Sequence, residues 1–177
     1  MDNLTHKKVS RRTVAAGVAW TVPAVAVATA VPAFASSSCA TVVDYDNVCK
    51  YPGNNGSVKH AYMVKLTLQN TTYKAVTIST KDAWISFTDG KTGDGTPLLY
   101  LEKPDDNVLP QDSVVIQPGE ARVVYFVLNN VGNSANRAGE FGGTLAVDRD
   151  SDVQGECLDL NLGPFQFAAT PPTCAGL

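Results

Sequence analysis

Histidine is almost missing from this 177-residue chain: His6 lies near the start, and His60 is the single one beyond residue 35. That scarcity excludes copper sites of the two-histidine kind and histidine-rich zinc sites. A Ser–His–Asp triad could draw only on His60, and no G-x-S-x-G elbow surrounds any serine. Basic side chains are also few beyond residue 35, ten against sixteen acids, which leaves a formal charge of −6 there. A nucleic-acid binder needs a basic footprint, and attachment to anionic lipid needs one too, so both partners are excluded. Helical periodicity is nearly absent after residue 35. Only one stretch, residues 14–34, is free of charge for long enough to approach the roughly 20 apolar residues of a membrane span.

That stretch has the plan of an export signal. Residues 1–12 are polar and basic, with Lys7, Lys8, Arg11 and Arg12 against Asp2. The uncharged run follows, mostly Ala and Val, and ends in Ala33-Phe34-Ala35 before Ser36. Small residues at −3 and −1 suit the peptidase pocket, so cleavage is expected between Ala35 and Ser36. A retained anchor is the alternative; Gly17, Pro23, Pro32 and the abundant alanine make it a weak span. Ser10-Arg11-Arg12-Thr13-Val14 resembles the twin-arginine motif, with Val14 where Phe is usual. The resemblance implies a bacterial or archaeal source and export of a folded domain. Two parts are thus expected, the signal at 1–35 and one domain at 36–177, with the membrane met only transiently through the signal.

All four cysteines lie in the second part: Cys39, Cys49, Cys157 and Cys174. None is spaced C-x-x-C, and an even count in an exported chain reads as two disulfides. Of three possible connectivities, local pairing (Cys39–Cys49 with Cys157–Cys174) would staple the two ends of the domain and is favoured. The rival, Cys39–Cys174 with Cys49–Cys157, would tie the first strand to the last. With both bridges closed, no thiol is free for nucleophilic work.

The rest reads as strands. Alternation of period two recurs, broken by Gly, Pro, Asn and Asp clusters every 8–12 residues or so. Strands are expected at 40–43, 48–51 (pairing with the first), 60–69, 73–79, 83–88, 98–101, 113–116, 122–128, 143–147, 157–162 and 165–168. Gln117-Pro118-Gly119-Glu120 suits a type II turn, which needs positive φ at its third position. Tyr62, Leu66, Leu68, Ile78, Trp84 or Ile85, Val115, Val124, Phe126, Leu145, Val147, Leu158 and Leu160 are the expected core. About eight to ten short strands make a single all-β sandwich.

Two stretches carry a family resemblance. Leu66-Thr67-Leu68-Gln69-Asn70-Thr71-Thr72 leading into Val76-Thr77-Ile78 resembles the strand, Asn-Thr turn, strand of bacterial immunoglobulin-like domains. Ile116-Gln117-Pro118-Gly119-Glu120 before Val123-Val124-Tyr125-Phe126 resembles their I-x-P-G-E hairpin. The whole plan, with Pro171-Pro172-Thr173-Cys174 at the end, is similar to small secreted actinobacterial proteins. The resemblance implies an immunoglobulin-like sandwich outside the cell and no activity.

One loop has the composition of a cation site. Asp148, Asp150 and Asp152 occupy positions 1, 3 and 5 of a possible Ca²⁺ loop, with the Gln154 carbonyl at position 7 and Glu156 at 9 or Asp159 at 12 completing the shell. Val153 stands where such loops need Gly. Ca²⁺ is therefore the one candidate ion, and no other cofactor is expected. The acid pairs Asp44/Asp46, Asp89/Asp94 and Asp105-Asp106 sit in turns, where Asp bonds its own backbone. Trp84, Tyr100 and Tyr125 are the aromatics able to stack on sugar. The function expected is a non-catalytic cell-surface or secreted module with a binding or structural role, its partner a protein or glycan of the envelope. A carbohydrate- or Ca²⁺-binding module is the alternative, and a small hydrolase using His60 is the last.

Overall fold

Alternation in the sequence becomes ten strands: β1 (Ala40–Tyr45), β2 (Cys49–Tyr51), β3 (Ala61–Asn70), β4 (Val76–Phe87), β5 (Thr92–Gly93), β6 (Thr96–Tyr100), β7 (Ser113–Ile116), β8 (Ala121–Asn129), β9 (Gly139–Arg149) and β10 (Leu160–Phe167). The structure is a computed structural model and describes residues 36–51, 58–105, 107–132, 137–149, 157–169, 171, 173 and 174. Ser10, Arg11, Arg12, Val14, Ala33 and Ala35 of the expected signal lie outside the described residues; Ser36 forms an isolated bridge with Thr41.

The strands form two antiparallel sheets. The first runs β1-β3-β8-β6, with β2 also on β3; the second runs β10-β9-β4-β5, with β7 also on β4. Those orders match the A-B-E-D and G-F-C arrangement of an immunoglobulin sandwich. The expected pairing of 48–51 with the first strand is corrected: β1 pairs with residues 66–70 of β3 and β2 with residues 61–63, so the two share one edge of β3. The strands expected at 73–79 and 83–88 are one strand, β4, irregular in register between Thr80 and Asp82. Those expected at 157–162 and 165–168 merge into β10, irregular between Leu162 and Phe165. In both cases polar or turn-prone residues fill an irregularity inside a strand without ending it.

The inner faces pack as the alternation requires. Tyr62, Val64, Leu66 and Leu68 of β3 are fully buried against Ile78, Ile85, Phe126, Phe141, Leu145 and Leu160. Of the pair Trp84 or Ile85, Ile85 takes the core place and Trp84 is 38% exposed; Val115 and Leu158, both expected in the core, are 44% and 66% exposed. For Trp84 and Val115 the reason is parity: Ile85 turns inward beside Trp84, and Val114 and Ile116 turn inward on either side of Val115. A second, smaller core covers the outer face of the first sheet at the start of β3. There Ala61 and Met63 pack with Cys49, Tyr51, Val58, Tyr100, Val127 and Cys174. The Tyr51 hydroxyl donates to the Pro104 carbonyl at 2.9 Å. Burial, with smaller contributions from Tyr100, Tyr125 and Asp105, pushes its pKa up to about 12.

The disulfides are Cys39–Cys157 and Cys49–Cys174, with Cα–Cα distances of 5.5 and 5.0 Å. Neither expected connectivity occurs. Cys39 precedes Ala40, which faces Asn70, whereas Cys49 faces Met63. The two cysteines therefore stand seven or eight residues apart along β3, roughly 25 Å at the rise of a strand. That is far beyond the ~7 Å Cα limit of a disulfide. They also lie on opposite sides of the sheet, Cys39 in the main core and Cys49 in the outer one. Cys39–Cys157 links the segment before β1 to the segment before β10, closing one edge of the sandwich between its two sheets. Cys49–Cys174 pins the segment after β10 over the outer core. Two disulfides fit an oxidising, extracytoplasmic environment.

One end of the sandwich is organised by a buried polar residue. Asn70 is fully buried. Its amide nitrogen donates to the carbonyls of Lys74 (2.7 Å) and Ile116 (2.9 Å). Its amide oxygen accepts from the Thr72 backbone N–H and hydroxyl, both at 2.8 Å. Its own backbone N–H donates to the Glu120 carbonyl at 3.0 Å. The Asn-Thr turn and the I-x-P-G-E hairpin, read separately in the sequence, meet at this residue. The hairpin is a type II turn: the Glu120 N–H donates to the Gln117 carbonyl at 3.0 Å, and Gly119 has φ of +71°.

Candidate functional site

The outer face of the second sheet is where the fold leaves recognition chemistry open. Antiparallel partners share a face, so the ladder registers name its rows. Trp84 faces Gly142; Ser86 faces Glu140, which faces Gln166; Asp82 faces Thr144, which faces Asn161. All of these alternate with Ile85, Phe87, Phe141 and Phe165, which are buried inside. Trp84 is the only tryptophan beyond residue 35. Gly142 is buried beneath it: a Cβ there would stand 2.5 Å from Cζ2 and 2.8 Å from Cε2 of the indole. Glycine is thus required under the ring, and the benzo side of Trp84 covers a spot that a side chain would fill. Trp84 as a whole is 38% exposed.

A pocket of about 370 Å³ opens at the next row, at the end of β4, the start of β9 and the end of β10. Ser86, Thr88, Glu140 and Gln166 supply polar groups, and Phe87 and Phe167 supply apolar ones. Gly139 also lines it, and a Cβ there would meet Phe167 Cζ at 2.8 Å. Phe87 and Phe167 meet edge to face with centroids 6.2 Å apart, and both touch the Tyr62 ring. Arg137 reaches across Phe87 at 5.7 Å and pairs with Asp89 at 3.3 Å. At the other end of this face, Lys81 pairs with Asp159 at 2.5 Å, and this hydrogen bond holds the Lys81 pKa above its ordinary value. The Thr144 hydroxyl donates to the Asn161 side-chain oxygen at 3.3 Å.

The other sequence candidates fall elsewhere. His60 immediately precedes β3 with φ of 46°, and its carbonyl accepts from the Val131 N–H at 3.1 Å. Tyr100 is fully buried in the outer core and Tyr125 is half-buried. Asp105 caps the Asn107 and Val108 N–H groups, Asp89 accepts from the Lys91 N–H, Asp44 accepts from the Tyr45 N–H, and Asp46 pairs with Lys65 at 3.0 Å. These carboxylates serve turns and two ion pairs, Asp46–Lys65 and Asp89–Arg137. Of the Ca²⁺ loop, Asp148 is exposed near the end of β9, opposite Thr77. Asp150, Asp152, Gln154 and Glu156 lie outside the described residues. Asp159, the alternative last ligand, is engaged by Lys81. Among the described residues, no group of three or more His, Cys, Asp or Glu side chains is placed to hold a metal.

The pocket and its neighbouring Trp84 were legible only in part. Trp84 is one of three aromatics named for sugar stacking, with Tyr100 and Tyr125, but Glu140, Gln166, Ser86 and Thr88 carry no spacing signal, since only the fold brings their segments together.

The molecule is therefore an all-β sandwich of immunoglobulin-type strand order with one sheet face open. No family model matches the chain, and no curated protein matches it. Among solved structures it is similar to Northeast Structural Genomics Consortium target SoR45, with 20% identity, 76% of this chain and 88% of that one covered, and a TM-score of 0.46. It is also similar to the apo PmoF2 PCuAC domain (9% identity, 79% and 95% covered, TM-score 0.39). A third is an uncharacterized β-sandwich protein from Clostridium difficile 630 (11% identity, 73% and 89% covered, TM-score 0.32). At these scores none of them assigns a residue or an activity to this chain.

Proposed function

We propose that this chain is exported by the twin-arginine route and works outside the cytoplasm as a non-catalytic module that binds a component of the cell envelope. The observation that carries the reading is the pair of disulfides, Cys39–Cys157 and Cys49–Cys174, which close both the edge and the outer core of the sandwich. Such bridges persist where thiols are oxidised, and the signal-like residues 1–35 supply the way there. The non-catalytic part of the reading rests on the sequence, which offers one histidine beyond residue 35 and no nucleophile motif. A surface of net negative charge directs the choice of partner away from nucleic acid and anionic lipid, towards protein or glycan.

Capture from envelope extracts tests it. The disulfide-bonded chain should retain a specific envelope component through washing. A chain that stays free and monomeric in both extract and culture medium contradicts the binding role. Turnover on an ester, peptide or glycan panel that is lost in His60→Ala contradicts the non-catalytic one. The carbohydrate reading is favoured among binding modes by one observation, the exposed Trp84 beside a pocket lined by both aromatic and polar residues.

A further inference from the structure

The two faces of the sandwich differ in what covers them. The outer face of the first sheet carries the second core, held down by Cys49–Cys174. The outer face of the second sheet carries no such cover among the described residues, and it holds Trp84. The indole, 38% exposed on a strand, offers an aromatic surface with a polar N–H to a partner. Gly142 beneath it shows that the ring has a fixed seat, since a Cβ there would collide with it. A fixed aromatic loses little rotamer freedom when a ligand stacks on it.

The next row adds directional chemistry. Ser86, Glu140 and Gln166 are neighbours across β4, β9 and β10, on the same face as Trp84. With Thr88 they give a hydroxyl pair, a carboxylate and an amide around a pocket of about 370 Å³, a size within the small-ligand range of ~300–1,000 Å³. Aromatic surface next to hydroxyl, amide and carboxylate groups matches a pyranose ring, which has apolar C–H faces and a rim of hydroxyls. The charged groups on this face include Asp82, Glu140, Asp148 and the Lys81–Asp159 pair. Their balance is negative, which repels acidic sugars and leaves neutral ones.

We propose that Trp84 and the adjoining Ser86–Glu140–Gln166 row form a binding site for neutral polysaccharide, with a sugar ring stacked on the indole and its neighbour hydrogen-bonded in the pocket. This rests on the reading of the chain as an extracytoplasmic binding module and names the chemistry of its partner.

The test is affinity electrophoresis of the full chain in native gels containing neutral gluco-, manno-, galacto- or xylo-polysaccharides, with alginate as the acidic control. At least one neutral polymer should retard the chain, and alginate should not. Trp84→Ala should weaken binding about thirtyfold, the effect of truncating an interface hot-spot tryptophan. Gln166→Ala, at an exposed position that leaves the Trp84 seat intact, should weaken it several-fold with an unchanged melting temperature. In a Trp20→Phe background, the remaining Trp84 emission should shift on adding the polymer. Absence of retardation by every neutral polymer, equal retardation by alginate, or full binding by both Trp84→Ala and Gln166→Ala would each overturn the proposal. If no polymer binds but a protein is captured from envelope extract, the glycan assignment alone falls. If neither is captured, the binding-module reading falls with it.

Discussion

Replacing Asn70 by alanine should cost the domain about 3 kcal/mol, counting roughly 1 kcal/mol for each buried or half-buried hydrogen bond and allowing some rescue by water. The side chain makes four such bonds, to Lys74, Ile116 and twice to Thr72. The Ile116 carbonyl is the expensive one, since it is left without this donor in a buried setting. The Thr72 and Lys74 groups lie nearer solvent, so water replaces part of what they lose. A loss of about 3 kcal/mol is a large share of the ~5–15 kcal/mol typical of a domain. It corresponds to roughly 10 °C in melting temperature for a domain of this size. Asn70→Asp should do at least as much damage at neutral pH, because it sets an oxygen against two carbonyls in place of the donating amide. Urea unfolding followed by circular dichroism, with the midpoint and slope fitted for each variant, measures the difference. A loss below about 1 kcal/mol for Asn70→Ala, the size of an ordinary surface change, would refute the claim that Asn70 joins the two turns.

Gly119→Ala should cost about 1–2 kcal/mol by melting, because the new side chain has open space around it and the whole penalty comes from its left-handed backbone. Gly142→Ala should cost about 1–3 kcal/mol through overpacking and should also change Trp84 emission, since the added methyl drives into the indole and the Leu162 carbonyl. Removing either disulfide as a paired Cys→Ser variant should lower stability by about 2–5 kcal/mol while the sandwich still folds, because both bridges close long loops over an existing core. The Tyr51 contribution to stability should be constant below pH 10 and fall as pH rises from 10 towards 12. The folded chain keeps the Tyr51 proton to about 12, whereas the unfolded chain releases it near 10.0. Tyr51→Phe should flatten that alkaline slope, and phenolate absorbance should lose one tyrosine step near pH 12.

How much the residues alone disclosed follows from the geometry of each element. Alternation in Tyr62-Met63-Val64-Lys65-Leu66-Thr67-Leu68 placed β3 and its inner face correctly, and Pro118-Gly119 placed its turn. The second core was hidden because Ala61-Tyr62-Met63-Val64 is a continuous apolar run, where parity gives no way to see that both faces are buried. Trp84 and Ile85 are adjacent and both apolar, so only packing decided which turned inward. Lys81-Asp82 looked like the end of a strand and proved to be an irregularity within β4. The disulfide pairing required knowing that β1 and β2 lie end to end along β3, a tertiary fact with no trace in cysteine spacing. The pocket depends on the same kind of fact, since its polar rim comes from β4, β9 and β10 together.

The most direct test of the account is peptide mapping by mass spectrometry, under non-reducing conditions, of the protein isolated from envelope and medium of the cells that make it. The account predicts a chain beginning at Ser36, with Cys39 linked to Cys157 and Cys49 to Cys174. A chain found in the cytoplasm, beginning at Met1 and carrying four free thiols, would contradict it.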